Sequence, residues 1–224
     1  MHAGLAALAN PKRRIERIVV SRNAQSRLPQ GLKADVLEPD AIDRMLPPGA
    51  VHQGLAVRAS ALPDEALEDV CQPADGRCVV VLDQVTDPQN VGALYRSAAA
   101  FGARAMIMQD RKSPPLTGAL AKAAAGAIEI VPEVRVVNIA RAVEQLGEMG
   151  YRTIGLSGEG TETLESAAAG AGQVALVLGA EGKGLRPLVA ERCHHLARID
   201  INPAMESLNV STAAAIALYA TRRK

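Results

Sequence analysis

The sequence predicts an α/β chain whose larger part, residues 76–224, is a parallel sheet wound on both faces by helices, preceded by a small α/β unit. Three observations carry this reading. Continuous apolar runs such as Cys78 to Leu82 and Val174 to Leu178 alternate with Ala-rich stretches of helical length, the pattern of strands buried on both faces and joined by crossover helices. Hydrophobic residues make up 48% of the chain but aromatics only 2%, so the core is built from Val, Leu, Ile and Ala, which suits close helix-on-sheet packing. Polar loops containing glycine or proline follow several of the strands, at the sheet ends where open α/β folds bind ligands. These polar ends are set out for chemistry on a phosphate-bearing substrate.

Each element follows from local pattern. In residues 1–60, Leu5 and Leu8 share a helix face, Ile15 to Val20 forms a short strand, Asp40 to Leu46 gives a helical turn or two, and Val51 to Val57 returns as a strand. Residues 61–75, with Pro63, Pro73 and four acids between Asp64 and Asp69, read as a linker holding one short helix. Beyond it, Cys78 to Leu82 is a central strand and Val91 to Phe101 an Ala-rich helix closed by Gly102. Strands at Ala105 to Met108, Ile128 to Val131, Thr153 to Leu156, Val174 to Leu178 and Leu196 to Ile199 follow. Helices are expected at Leu116 to Ala125, Asn138 to Glu148 and Leu208 to Ala220. Roughly six strands alternating with helices is the signature of a doubly wound sheet.

Composition excludes several classes. No apolar run approaches the roughly 20 residues of a membrane span, and Met1 to Asn10 lacks the basic head and long apolar stretch of a signal peptide. Cys71, Cys78 and Cys193 form an odd set without metal-ligand spacing. They read as reduced thiols in a cytoplasmic protein, with no metal site. The net charge is only +1, yet residues 1–33 carry seven basic side chains (Lys12, Arg13, Arg14, Arg17, Arg22, Arg27, Lys33) against one acid, Glu16. That basic front is a candidate polyanion-binding surface, the alternative being a solvated helix and strand edge.

Three segments carry chemistry. The first, Asp83 to Gly92, follows the first strand of the larger unit; Pro88 stiffens it and Asn90 is positioned to cap the next helix, leaving amides for an anion. Arg96 lies in that otherwise apolar helix, where an arginine is either functional or ion-paired, with Asp83 or Asp87 as the partner in the second case. The second segment, Leu176 to Pro187, holds Gly179, Gly182 and Gly184, which permit a tight turn and close backbone approach. It is no P-loop, because Gly184 rather than a hydroxyl residue follows Lys183, and no G-x-G-x-x-G fingerprint occurs. The third, Ile199 to Thr212, combines a strand end, Pro203 and a polar helix start, where Ser207 and Asn209 are helix caps or ligand-facing groups.

Taken together these segments resemble the SpoU/TrmH family of S-adenosylmethionine-dependent RNA ribose 2′-O-methyltransferases, in the knotted SPOUT superfamily. The resemblance runs in order through Asp87-Pro-x-Asn90-x-Gly92 to Arg96, then Leu178-Gly179-x-Glu181-Gly182-x-Gly184-Leu185, then Ser207-Leu208-Asn209-Val210-Ser211, and covers residues 78–220. The front unit is similar, more loosely, to the ribosomal-protein-like substrate-binding domain that often precedes this catalytic domain, through Asn10-Pro11 and Val51-His52-Gln53-Gly54. It favours the branch acting on guanosine of 23S ribosomal RNA.

The resemblance implies a C-terminal trefoil knot, a homodimer, and a cofactor cradled by the loops at Leu178, Gly179, Glu181 and Gly184, at Ile199 and Ile201, and at Ser207, Leu208 and Asn209. It implies a catalytic set of Asn90, Arg96, Glu181, Ser207 and Asn209. In that set Arg96 grips the target phosphate and orients the hydroxyl, Asn90 holds the substrate or Arg96, and Glu181 orients Arg96 or Asn90. Contacts to ribosomal RNA are expected from Lys12, Arg13, Arg14, Arg17, Arg22, His52, Gln53 and Arg96, although a turn role serves His52 and Gln53 equally well. Glu159, Glu162 and Glu165 are expected on a solvated turn and helix, and His194 and His195 in packing or solvent contact. A transfer-RNA guanosine 2′-O-methyltransferase and a noncatalytic RNA-binding assembly factor remain the alternatives.

Overall fold

The computed structural model describes residues 1–111, 113–114 and 118–222. At the front, helix α1 (His2–Ala9) leads to strand β1 (Ile15–Val20), whose last three residues are buried. β1 is the centre of a three-stranded sheet, with β2 (Asp35–Val36) parallel on one side and β3 (Leu55–Ala59) antiparallel on the other. A 3₁₀ turn (Arg22–Arg27) and helix α2 (Pro39–Asp43) make up connections. The strand expected from Val51 starts only at Leu55, because His52, Gln53 and Gly54 form a turn. His52 Nδ1 accepts the Gly54 amide at 3.0 Å, and Gly54 has φ +83°, with a β-carbon there meeting Ser21 Oγ at 2.4 Å. In the chain between the two sheets comes the short helix α3 (Leu67–Val70).

The larger sheet starts with β4 (Val79–Asp83), every residue of which is buried. In chain order follow α4 (Pro88–Ala100), β5 (Ala105–Gln109), α5 (Gly118–Ala124), β6 (Glu133–Val136), α6 (Ile139–Glu148), β7 (Arg152–Leu156), β8 (Glu162–Thr163), α7 (Leu164–Ala168), β9 (Val174–Gly179), α8 (Pro187–Glu191), β10 (His195–Arg198) and α9 (Val210–Thr221). The strands are all parallel, in the order β6-β5-β4-β9-β7-β10-β8. Side chains from α4, α5, α7 and α9 fill one face, where Val80, Leu82, Met106, Leu176 and Leu178 meet Leu94, Leu120, Leu164 and Leu218. Residues of α3, α6 and α8 cover the other, against Val79, Val81, Ile107 and Val177.

The expected elements are shifted in three places. Ile128 to Val131 is not a strand: Ala127–Glu129 is a 3₁₀ turn, and Ile128 and Val131 are buried against the α4 face instead of entering a ladder. The strand begins just after Pro132. A seventh strand, β8, has two half-buried polar residues and no apolar run to announce it. Of the helix expected from Leu116, that residue lies outside the described residues, and the described part is Gly118–Ala124.

β10 enters between β7 and β8, two strands already joined by the link 157–161. That link lies directly across β10. The Ser157 amide donates to the Ala197 carbonyl at 2.9 Å, Arg198 Nη1 donates to the Gly160 carbonyl at 3.1 Å, and a β-carbon on Gly160 would be 2.6 Å from the Ala197 carbonyl carbon. The chain arrives at β10 from α8 on one face and leaves for α9 on the other. This is the path of the trefoil-knotted chain expected above, and it carries α9 back to lie beside α4.

Candidate active site

α4 and α9 run side by side in the same direction. Asn90, in the first turn of α4, meets Asn209, the N-cap of α9, at one end; Phe101 and Tyr219 meet edge to face at 5.9 Å near the other. Two helix N-termini, each carrying the partial positive charge of its aligned peptide dipoles, therefore open at the same place. Asp87 caps α4 by accepting from the Gln89 and Asn90 amides at 3.3 and 3.0 Å. Asn90 is thus not the cap expected from sequence, and with Asp87 in that role its side chain is released.

The released side chain joins a network of three residues from the three motif segments. Asn209 Nδ2 donates to Asn90 Oδ1 at 3.0 Å and to Glu181 Oε1 at 2.5 Å. Glu181 Oε1 also accepts the Val210 amide at 3.4 Å. The oxygen of Asn209 faces its own helix and accepts from the amides of Ser211 and Thr212 at 2.9 and 3.3 Å and from the Ser211 hydroxyl. Asn209 is thereby fully used: its oxygen starts α9, and its nitrogen ties the start of α4 to the glycine-rich loop. Glu181 reaches Asn90 only through Asn209. Asn90 Nδ2 has no protein acceptor among the described residues and remains a donor at the mouth of the site.

The loop 180–185 holds its shape through glycine. The Gly184 amide donates to the Ala180 carbonyl at 2.8 Å. A β-carbon on Gly179 would lie 2.1 Å from the Gly184 carbonyl carbon, so this strand end tolerates no side chain. Gly182 and Gly184 adopt φ +73° and +63° with open space where a side chain would stand, a backbone surface left bare for a ligand. Ile199, Ile201 and Leu208 are half-buried, whereas the Leu178 side chain is 2% exposed and belongs to the core, leaving only its backbone for contact.

Two predicted catalytic residues stand apart from this network. Arg96 is exposed and makes no ion pair or hydrogen bond among the described residues. Six residues beyond Asn90, it lies about 9 Å further along the α4 axis. The alternative of a structural pair is closed: Asp87 caps the helix, and Asp83 is held by Arg186 at 2.6 Å. Ser207 is exposed and likewise makes no side-chain hydrogen bond among the described residues.

The basic front divides into free and committed side chains. Arg14 and Arg22 are exposed without an ion pair among the described residues, and Gln53 is exposed. Lys12 pairs with Glu65 at 2.6 Å and Arg17 with Asp35 at 2.8 Å, both near the surface. Arg13 is withdrawn from the surface: it pairs with Glu129 at 2.9 Å with both side chains about nine-tenths buried, and Asn10 donates to the same carboxylate at 2.7 Å. His52 is mostly buried, its Nε2 lying 3.2 Å from Asp43 and its Nδ1 occupied by the turn. Glu162, expected to be merely solvated, sits 2.7 Å from His195 Nδ1 across the β8–β10 pair. What the sequence reading missed was the Asp87 cap and the buried Asp83, both acids placed immediately around the expected loop.

Among the described residues, no group of three or more His, Cys, Asp or Glu side chains is arranged to hold a metal ion, and no helix is long and apolar enough to cross a membrane.

Residues 77–219 match the model of the SpoU rRNA Methylase family. A 23S rRNA (guanosine-2′-O-)-methyltransferase of Vibrio vulnificus is 41% identical over 179 residues, covering 79% of this chain and 72% of that protein. An S-adenosylmethionine-bound rRNA methyltransferase from Sinorhizobium meliloti superposes with a TM-score of 0.82 at 22% identity, covering 99% of this chain and 84% of the other. The SpoU methyltransferase AviRb from Streptomyces viridochromogenes, in complex with the same cofactor, gives 0.79 at 18% identity, with coverages of 96% and 84%. These two likenesses bear on the fold.

Proposed function

The chain belongs to the SpoU rRNA Methylase family, and from that membership we propose that it transfers a methyl group from S-adenosylmethionine to the ribose 2′-hydroxyl of a guanosine in 23S ribosomal RNA. The observation that carries this reading is the junction of Asn90, Glu181 and Asn209, which brings the three motif segments to one point at two helix N-termini.

The residues present fit the cofactor. The bare backbone at Gly182 and Gly184 offers amides and carbonyls without side-chain obstruction, and the half-buried Ile199, Ile201 and Leu208 offer apolar surface for an uncharged base. Leu178, through its backbone, with Gly179, Glu181, Ser207 and Asn209 would complete the holding set. When bound, S-adenosylmethionine supplies an electrophilic methyl on a sulfonium centre.

The work left to the protein is orientation and charge. A ribose hydroxyl is a very weak acid at neutral pH, so it must be held in line and its developing negative charge stabilised. The guanidinium of Arg96 stays charged throughout and is unsuited to take a proton; it grips the phosphate of the target nucleotide and directs the hydroxyl, and that phosphate or a water receives the proton. Its exposure and its lack of a partner among the described residues suit a group whose partner is the substrate. Asn90 Nδ2 donates to the ribose or phosphate, while Glu181 and Asn209 hold Asn90 in place. The paired helix N-termini add a field that favours an anion at the same spot.

Residues 1–60 serve as the RNA substrate-binding domain, joined by residues 61–75 to the methyltransferase domain 76–224, with Arg14, Arg22 and Gln53 as the exposed contacts. Lys12 and Arg17 join them by exchanging surface carboxylates for phosphate, which weak exposed pairs permit. Function as a homodimer and in the cytoplasm belongs to the same reading; the three free cysteines support the latter.

The test is incubation of the protein and labelled S-adenosylmethionine with unmodified 23S ribosomal RNA and with transfer RNA, followed by mapping of the methylated ribose. Label on a guanosine of the ribosomal RNA is expected. Label only on transfer RNA, or none despite cofactor binding, would refute the assignment.

A further inference from the structure

Asp83, the last residue of β4, is fully buried, and nothing in the methyl-transfer chemistry above uses it. Both its oxygens are taken by one residue. Oδ2 accepts the backbone amide of Arg186 at 2.9 Å, while Oδ1 accepts Nε at 2.8 Å and lies 2.6 Å from Nη2. A buried carboxylate is costly even when paired, and an apolar residue of similar volume commonly serves stability as well or better. Its presence at this strand end therefore calls for a role in geometry.

The geometry is specific. Asp83 is the β-ladder partner of Gly179, the residue that begins the glycine-rich loop, and its side chain holds Arg186, the residue that ends the loop and caps α8. One residue thus fixes both ends of the segment 180–185, from which Glu181 reaches Asn209. The other anchors of the loop are the Ala180–Gly184 bridge, the bonds that Glu181 accepts from Asn209 and Val210, and Leu185 packed against the core, while the Lys183 side chain is exposed.

We propose that Asp83 is a positioning residue which, through Arg186, holds the loop 180–185 in the form that presents Glu181 to Asn209 and leaves the Gly182–Gly184 backbone open to the cofactor. The effect on cofactor and turnover rests on the methyltransferase reading; the ordering of the loop does not.

The experiment uses the full chain carrying Asp83→Asn, Arg186→Gln or Arg186→Lys. Amide hydrogen exchange without ligand, the Kd for S-adenosylmethionine and single-turnover methyl transfer are measured for each. In Asp83→Asn and Arg186→Gln, exchange across 180–186 is expected to accelerate, with β7 residues 152–156 unchanged as the internal control. Cofactor Kd is expected to rise at least about tenfold, the scale on which a small misplacement in a binding site is felt. Arg186→Lys, which keeps the charge, restores part of both. A general loss of stability would accelerate β7 as well and would count against the proposal. So would wild-type exchange in the loop, or wild-type Kd with normal turnover. If Asp83→Asn does not fold, Arg186→Gln decides, because Arg186 is partly exposed and lines an open cavity of about 280 Å³ rather than the packed core. A wild-type protein that binds no S-adenosylmethionine would overturn the methyltransferase reading, while the exchange measurement would still decide whether Asp83 orders the loop.

Discussion

The side-chain nitrogen of Asn209 is shared between Asn90, 119 residues earlier in the chain, and Glu181, at 3.0 and 2.5 Å. The two donor hydrogens of one amide thus connect the start of α4, the glycine-rich loop and the start of α9, while the amide oxygen caps α9. Stability and alignment are separable at this residue. Asn209→Ala is expected to lose the cap, at about 1 kcal/mol, and about a hundredfold in methyl transfer through misalignment. Asn209→Asp keeps a capping oxygen but sets a second carboxylate against Glu181. It should melt closer to wild type and transfer methyl as poorly as the alanine variant. Denaturant titration and single-turnover kinetics on the same preparations check the split.

Arg96 presents the opposite case. Because it is exposed and makes no ion pair among the described residues, Arg96→Ala should change folding stability by no more than about 0.5 kcal/mol. If it grips the substrate phosphate, methyl transfer should fall by about two orders of magnitude or more, with the Kd for S-adenosylmethionine unchanged. Turnover near the wild-type rate would remove Arg96 from the mechanism.

Arg13 and Glu129 tie the front unit to the larger sheet. Glu129→Ala leaves the guanidinium in a largely buried site and takes a partner from Asn10, so a loss of about 3 kcal/mol is expected. The double substitution Arg13→Met with Glu129→Leu should recover most of that loss, since it removes both charges together. Unfolding midpoints of the single and double variants measure the coupling.

At Gly160 an added methyl meets backbone, not a flexible side chain. Gly160→Ala should cost about 2–3 kcal/mol or shift the link away from β10. Loss of the Arg198 bond to the Gly160 carbonyl, seen as a change in the Arg198 side-chain NMR signal, would accompany the shift.

The acid limb of stability has a nameable contributor. Burial by itself would raise the carboxyl of Asp75, but bonds from the Arg77 amide and side chain and from Arg104 carry it from 3.8 down to about 2. A depressed folded value stabilises above the unfolded value and is lost as pH falls through the folded one. The stability difference between wild type and Asp75→Asn should therefore be full above pH 4 and shrink as pH is lowered toward 2. Melting temperatures of the two proteins across that range give the answer.

The apolar runs made most of the larger sheet readable, because parallel strands buried on both faces have no other way to be written: β4 and β9 lie where their Val and Leu runs placed them. β8 could not be read, since its two polar residues pair only because the chain brings β10 beside them. Strand order and the knot were outside periodicity altogether: the knot was implied by the motif resemblance, and the order of the strands is seen only in the fold. At the site, the motif resemblance pointed to Asn90, Glu181 and Asn209, and the structure joins them. It also assigns the cap to Asp87 and leaves Arg96 unpaired, distinctions that depend on which carboxylate reaches which amide in three dimensions. The excess of basic residues at the front was visible in composition, but not that Arg13 would turn inward to Glu129, a partner more than a hundred residues away.

The parallel pairing of α4 with α9 also orders events in time. Asn90 and the loop bearing Glu181 are made well before Asn209, and the residue that links them arrives only with the threading of the last described helix. A nascent chain that has not yet extended past residue 209 already carries the basic front and Arg96, but not the residue that joins the centre. Docking of the start of α9 against α4 and the glycine-rich loop, rather than folding of the front unit, is then the step that completes the junction.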